Sequence, residues 1–161
     1  MDIEKITEFV IEKHAGQKRI QGTPYYLHPI AVAELLASKG FDSDYQVVGL
    51  FHDLLEDTDA TSQELLELST PDIVEAVRLV TKEKNYQMAE YIYRIENNKL
   101  AKMVKLADRV HNLQEANFAS IKWIQKYVLE TKEWYLELAK GTPFEQEILY
   151  WVDWLSAERK I

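Results

Sequence analysis

Residues 42–57 read Asp-Ser-Asp-Tyr-Gln-Val-Val-Gly-Leu-Phe-His-Asp-Leu-Leu-Glu-Asp. Val47, Val48, Leu50, Phe51, Leu54 and Leu55 recur at helical spacing and supply a broad apolar face. Asp42 or Ser43 suits the N-cap, because a short oxygen-bearing side chain accepts an amide that the first turn leaves free. The pattern predicts a helix continuing through Asp57. On that helix His52 and Glu56 are four apart, and so are Asp53 and Asp57, so four polar groups share one side of an apolar element. Burying three carboxylates and an imidazole is costly unless something neutralises them. A divalent cation is one such partner. The plainer alternative is a solvated helix end closed by Thr58.

On either side of this stretch the pattern stays helical. Ile3, Ile6, Phe9 and Val10 predict an amphipathic helix over residues 2–14. Residues 15–25 hold two Gly and a Pro and read as a loop. Pro29 fits the first turn of a helix that reaches Ser38 and ends at Gly40. Thr61-Ser-Gln-Glu64 matches a capping box, and Thr70-Pro71 is an N-cap followed by Pro at the first helical position. Helices follow over 86–96, 98–116 and 120–140, the last stopping at Gly141. Thr142-Pro143-Phe144-Glu145 matches a second capping box opening a helix to Glu158. The expectation is an all-α helical bundle of eight or nine helices, one domain over residues 1–161. Its chemistry lies within residues 3–116, and packing helices occupy 120–159.

Composition narrows the function. The 161 residues are 47% hydrophobic and 29% charged, which suits a globular domain rather than a disordered chain. A net charge of −8 disfavours DNA or RNA as a partner, since no basic surface is available to neutralise a run of phosphates. The chain has no Cys, so disulfides, thiolate metal sites and Cys nucleophiles are excluded. A transition-metal site must then use carboxylates and the four His: 14, 28, 52 and 111. No apolar run approaches the roughly 18 residues of a membrane span. The first residues show no basic segment leading into an apolar one, so a cytoplasmic location is expected.

Two more segments carry chemistry. In Leu106-Ala-Asp108-Arg109-Val-His111-Asn112, Asp108 and Asn112 share a helix face, with Lys105 and Arg109 on a neighbouring strip. Asp108 suits metal ligation, or a surface pair with Arg109 or Lys105. His28 stands at a loop-to-helix junction, and Lys18 and Arg19 lie in the loop before it. His14, at the end of the first helix, suits the negative end of its dipole. His111 projects away from the Asn112 face, so packing or hydrogen bonding fits it better than ligation. Two imidazoles and two or three carboxylates on three helices make an N/O site for a divalent first-row metal, and leftover carboxylates can orient or deprotonate a water. The aromatic residues Trp123, Tyr127, Trp134, Tyr135, Tyr150, Trp151 and Trp154 suit a core; packing against a second copy, a homodimer, is left open.

The order His28, His52-Asp53, Asp108 resembles the signature of the HD superfamily of metal-dependent phosphohydrolases. Five blocks together are similar to the hydrolase domain of RelA/SpoT-type enzymes and small alarmone hydrolases. They are Gly16-Gln17-Lys18-Arg19, Gly22-Thr-Pro24-Tyr25-Tyr-Leu-His28-Pro29, His52-Asp53-Leu-Leu-Glu56-Asp57-Thr58, Val80-Thr81-Lys82 and Val104 to Asn112.

The resemblance implies one divalent ion, Mn²⁺ first with Zn, Fe, Ni or Co as alternatives, held by His28, His52, Asp53 and Asp108. It implies that Glu56 and Asp57 position and activate the attacking water, and that Arg19 approaches a guanine base. Asn112 would contact the sugar-phosphate, and Lys18 and Lys105 join the substrate contacts. The implied substrate is a small phosphorylated nucleotide, guanosine tetra- or pentaphosphate, losing its 3′-pyrophosphate. Two departures stand out: Ile20 replaces a basic residue, and the segment after Lys82 is short. They keep a second phosphohydrolase substrate, such as a deoxynucleoside monophosphate, and a non-catalytic binding module as alternatives.

Overall fold

The computed structural model describes residues 1–159. They form eleven α-helical segments with one 3₁₀ turn and one π segment, and no strand among them. The single β-type feature is an isolated antiparallel bridge between Lys18 and Pro24. No helix among the described residues is long and apolar enough to cross a membrane.

The chain divides into two compact units, Met1–Lys105 and the residues from Leu106 onward. The first unit opens with α1 (Ile3–Lys13), whose N-cap Asp2 accepts the Lys5 amide. Next come α2 (Leu27–Ser38), α3 (Ser43–Phe51) and α4 (Leu54–Asp57). Helix α5 (Ser62–Leu68), α6 (Pro71–Val80) and α7 (Met88–Glu96) complete it, with the first turns of α8 (Lys99–Glu115). Helix α3 packs on α1, α2 and α6, so Val47, Val48, Leu50 and Phe51 are buried with Ile6, Val32, Leu36, Ile73 and Val77. That burial removes the apolar face of each helix from water and is the main driving force for the unit.

Several expected signals act as read. Thr61 and Glu64 form both halves of a capping box, and Thr70 caps α6 through the Ile73 amide. Asp42 caps α3 by accepting the Asp44 amide. Helix α2 ends in a Schellman motif, with Gly40 at φ 83°, its amide on Ala37 and the Phe41 amide on Leu36.

The second unit continues α8 and adds a 3₁₀ turn (Ala116–Phe118), α9 (Ile121–Glu130), a π segment (Thr131–Tyr135), α10 (Leu136–Ala139) and α11 (Glu145–Glu158). The expected single helix over 120–140 is therefore interrupted. Thr131 is buried and its hydroxyl donates to the Tyr127 carbonyl at 2.7 Å, competing with the normal ladder where the turn widens. The second capping box does not form. Thr142 Oγ1 donates to the Ala139 carbonyl and accepts the Phe144 amide, while Glu145 reaches back to the Gly141 amide. The chain turns once at residues 142–145 before α11 begins.

Candidate metal centre

Helix α2 begins at Leu27, two residues before Pro29, so His28 lies in its first turn and not just ahead of the helix. The ring is 1% exposed. His52 follows α3 and is 4% exposed. The expected continuous helix to Asp57 is broken at His52-Asp53 into α3 and α4. The cause is local. His52 Nδ1 lies 2.6 Å from the Gly49 carbonyl, the acceptor that the Asp53 amide would use in an unbroken helix. The carbonyl can only accept, so Nδ1 carries a proton, and in the neutral ring Nε2 is the nitrogen left with a lone pair.

Nε2 faces a carboxylate oxygen. Asp53 Oδ2 lies 3.1 Å from His52 Nε2 and 3.6 Å from His28 Nε2. The two imidazole rings are 5.1 Å apart, edge to face. Asp108, on α8, is 5% exposed and its Oδ1 accepts a 3.0 Å hydrogen bond from Asn112 Nδ2. One donor atom each from His28, His52 and Asp108 lies within 4.8 Å of the others. Buried imidazole nitrogens and a buried carboxylate brought this close are a donor set that a divalent ion fits, since its charge offsets the burial of the acid.

The other expected site residues have partners of their own. Glu56 and Asp57 are exposed, at the end of α4. Glu56 Oε1 accepts a 2.6 Å hydrogen bond from the Lys82 amide. The Asp57 carbonyl accepts one from Gln17 Nε2. Arg19 sits 5.6 Å from the centroid of the Tyr25 ring, and Lys105 Nζ sits 5.8 Å from that of Tyr91. Lys18 is exposed, and its backbone forms the bridge to Pro24.

Two readings need correction. Asp108 and Arg109 form no surface pair, because both are buried. Arg109 is 2% exposed and turns into the second unit. It lies over Tyr127 and Tyr135 at 4.0 and 3.7 Å and donates to Glu130 and Thr131. Burial pulls its pKa down, but Tyr127, Tyr135 and Glu130 outweigh that and raise it. His14 is fully buried, and this desolvation holds its pKa below the usual histidine value despite the hydrogen bond to Gln17. Burial thus works against the cation that the helix dipole would favour. Tyr25 stands in one of the family-like blocks, but the sequence gives it no role. Its hydroxyl donates a 2.7 Å hydrogen bond to Asp53 Oδ2. Nothing in periodicity marks it, since a loop tyrosine has no face to share.

Residues 7–143 match the family model described as HD domain. The chain belongs to the HD domain family. It is 37% identical over 143 residues to the guanosine-3′,5′-bis(diphosphate) 3′-pyrophosphohydrolase MESH1 of Danio rerio, covering 83% of this chain and 79% of that one. It is 35% identical over 146 residues to a guanosine-3′,5′-bis(diphosphate) 3′-pyrophosphohydrolase of Aquifex aeolicus, covering 86% of this chain but 21% of that longer one. A solved structure described as a metazoan orthologue of SpoT that hydrolyses ppGpp superposes with a TM-score of 0.80 at 27% identity. That match covers 97% of this chain and 94% of that one. The HD membership makes this chain a metal-dependent hydrolase with an all-α HD fold.

Proposed function

We propose that this protein hydrolyses the 3′-pyrophosphate of guanosine tetra- or pentaphosphate, with His28, His52, Asp53 and Asp108 holding one Mn²⁺ ion. The observation that carries the reading is the buried group of His28, His52 and Asp108. Similarity to MESH1 of Danio rerio, named for that reaction, supports the substrate.

A divalent ion held there would supply positive charge and a water of lowered pKa. The protein's own groups do the rest. Asp53 and Asp108 bring the negative charge, and His52 is held by Gly49 so that Nε2 faces inward. Glu56 takes the proton of the attacking water, its carboxylate steadied by the Lys82 amide. Asp57, next in the chain, orients that water. The water oxygen bonds to the phosphorus nearest the ribose, and the bond from that phosphorus to the 3′ oxygen breaks. The nucleoside 3′ oxygen leaves and gains a proton, so GDP or GTP and pyrophosphate are the products. Arg19 reaches the base, and Asn112, Lys105 and Lys18 contact the sugar and phosphates. A cytoplasmic protein would meet this substrate.

The experiment is hydrolysis of guanosine tetraphosphate by purified protein with Mn²⁺, followed by pyrophosphate release and by product identity. Equal release of GDP and pyrophosphate is expected. No release, alongside turnover of a deoxynucleoside monophosphate, would replace the substrate while keeping the reaction type.

A further inference from the structure

Tyr25 bridges the loop before α2 and the metal centre. Its hydroxyl donates to Asp53 Oδ2 at 2.7 Å. The same oxygen is the one that lies 3.1 Å from His52 Nε2 and 3.6 Å from His28 Nε2. A carboxylate beside two imidazoles can rotate about its last torsion, which is broad and two-fold. A phenol donor on one oxygen removes that freedom and holds the oxygen facing the ring nitrogens. Hydrogen bonds to metal-binding carboxylates act in this way and set affinity.

The ring of Tyr25 is itself held. It contacts His14 at 5.0 Å and His28 at 6.0 Å between centroids, and Arg19 lies 5.6 Å from it. His14 is fixed in turn by Gln17, whose Oε1 is 2.8 Å from Nδ1. The Tyr25 amide donates to the Gln17 carbonyl at 2.8 Å, closing the loop on the same residue. The hydroxyl is thus delivered to Asp53 by a ring with packing on its neighbours, not by a free loop side chain.

We propose that Tyr25 is a positioning residue for metal binding, acting through its hydroxyl on Asp53. The inference rests on the proposed metal role of Asp53, and it does not depend on which phosphorylated substrate is used. Tyr25→Phe is the clean probe, because it keeps the ring that Arg19 and His14 contact and removes only the donor.

The test is a calorimetric titration of chelator-treated full-length protein with MnCl₂, for wild type, Tyr25→Phe and Asp53→Asn. Thermal melts and guanosine tetraphosphate kinetics are run on the same samples. Tyr25→Phe should weaken Mn²⁺ binding about 10- to 100-fold, the range for lost outer-shell partners. Its metal-free melting temperature should stay unchanged, and its KM at saturating Mn²⁺ should match wild type. Asp53→Asn should lose more affinity, and adding Tyr25→Phe to it should cost nothing further. Wild-type affinity in Tyr25→Phe overturns the proposal, as does additive loss in the double variant or a wild type that takes up no Mn²⁺. A wild type that binds Mn²⁺ but leaves guanosine tetraphosphate intact overturns the substrate reading, while the affinity comparison still decides the role of Tyr25.

Discussion

The Lys82 amide donates a 2.6 Å hydrogen bond to Oε1 of Glu56, tying the segment after α6 to the end of α4. A neutral donor steadies a carboxylate without giving it a cationic partner. In the proposed reaction the second oxygen would be the one offered to a water. Glu56→Gln keeps an oxygen for the Lys82 amide and removes the ability to take a proton. The expected result is a kcat about 10²- to 10⁴-fold lower with Mn²⁺ affinity intact. Rapid-quench or steady-state pyrophosphate release measures it, and a kcat within tenfold of wild type would remove Glu56 from the role of base.

Asp108 and Asn112 make a separate pair on α8, 3.0 Å apart. Asp108→Ala removes a donor from the buried group, so Mn²⁺ binding and turnover should both fall below detection. Asn112→Ala leaves the donor and removes its hydrogen bond, so affinity should drop only about tenfold or somewhat more. Electron paramagnetic resonance of free Mn²⁺ in the presence of each variant distinguishes the two. Equal loss in both would mean that Asp108 acts only as the partner of Asn112.

Much of this architecture is legible in the sequence because helices declare themselves by period and cap. Asp42, Thr61-Glu64, Thr70-Pro71 and Gly40 act as a helix-start or helix-stop code predicts. His28, His52 and Asp108 are legible as a group because their order resembles a known family. What stays hidden is where a side chain competes with the backbone. The apolar period runs unbroken through His52, yet its ring occupies the Gly49 carbonyl and the helix breaks. The same holds at Thr131, where a hydroxyl bonds the Tyr127 carbonyl and a π segment follows. Arg109 misleads for another reason. Its own helix places it near Lys105, and only α9 and the π segment, distant in sequence, bring the aromatic rings and the carboxylate that bury it.

Arg109 is therefore a strong site for a stability test. Its planar guanidinium stacks on Tyr127 and Tyr135 while donating to Glu130 and Thr131. Arg109→Lys keeps the charge but not the plane or the fork of donors, so it should not rescue the fold. Breaking a buried pair costs about 3–5 kcal/mol. For a chain of this size each kcal/mol lowers Tm by roughly 2–4 °C. A fall of about 6 °C or more is expected for Lys and a larger one for Met. Differential scanning calorimetry reads it, and an unchanged Tm in Arg109→Lys would show that charge alone suffices.

His14 gives a pH dependence with a definite sign. Burial depresses its folded pKa, so the unfolded chain binds the proton more readily. Its contribution to stability is complete above the unfolded histidine value of about 6.5 and is lost as pH falls through the folded one. The Tm of wild type should drop from pH 7.5 to pH 5, and that of His14→Gln should drop less. Both should be measured with chelator, so that metal binding does not add its own proton linkage. Parallel curves would mean that the ring is protonated in the folded state.

Gly49 links packing to the metal centre. It lies inside α3, where glycine is otherwise unfavourable by about 1 kcal/mol relative to alanine. A Cβ there would sit 3.1 Å from Leu36 Cδ1 and 3.4 Å from the Ala33 backbone, and Leu36 is fully buried. The Leu36 side chain, or helix α2 with it, must give by a few tenths of an ångström to admit it. Helix α2 carries His28 and α3 leads into His52, so the separation of the two rings changes with them. Overpacking costs about 1–3 kcal/mol, and the gain in helix propensity offsets part of it. Gly49→Ala should thus lower Tm only a few degrees yet weaken Mn²⁺ binding measurably. Adding Leu36→Val removes the methyl that the new Cβ would strike and should restore part of the affinity, even though Leu36→Val alone destabilises the core. Calorimetric titration of the three variants decides it. Full affinity in Gly49→Ala, or no recovery in the double variant, would show that the ring spacing does not depend on the close approach of α2 and α3.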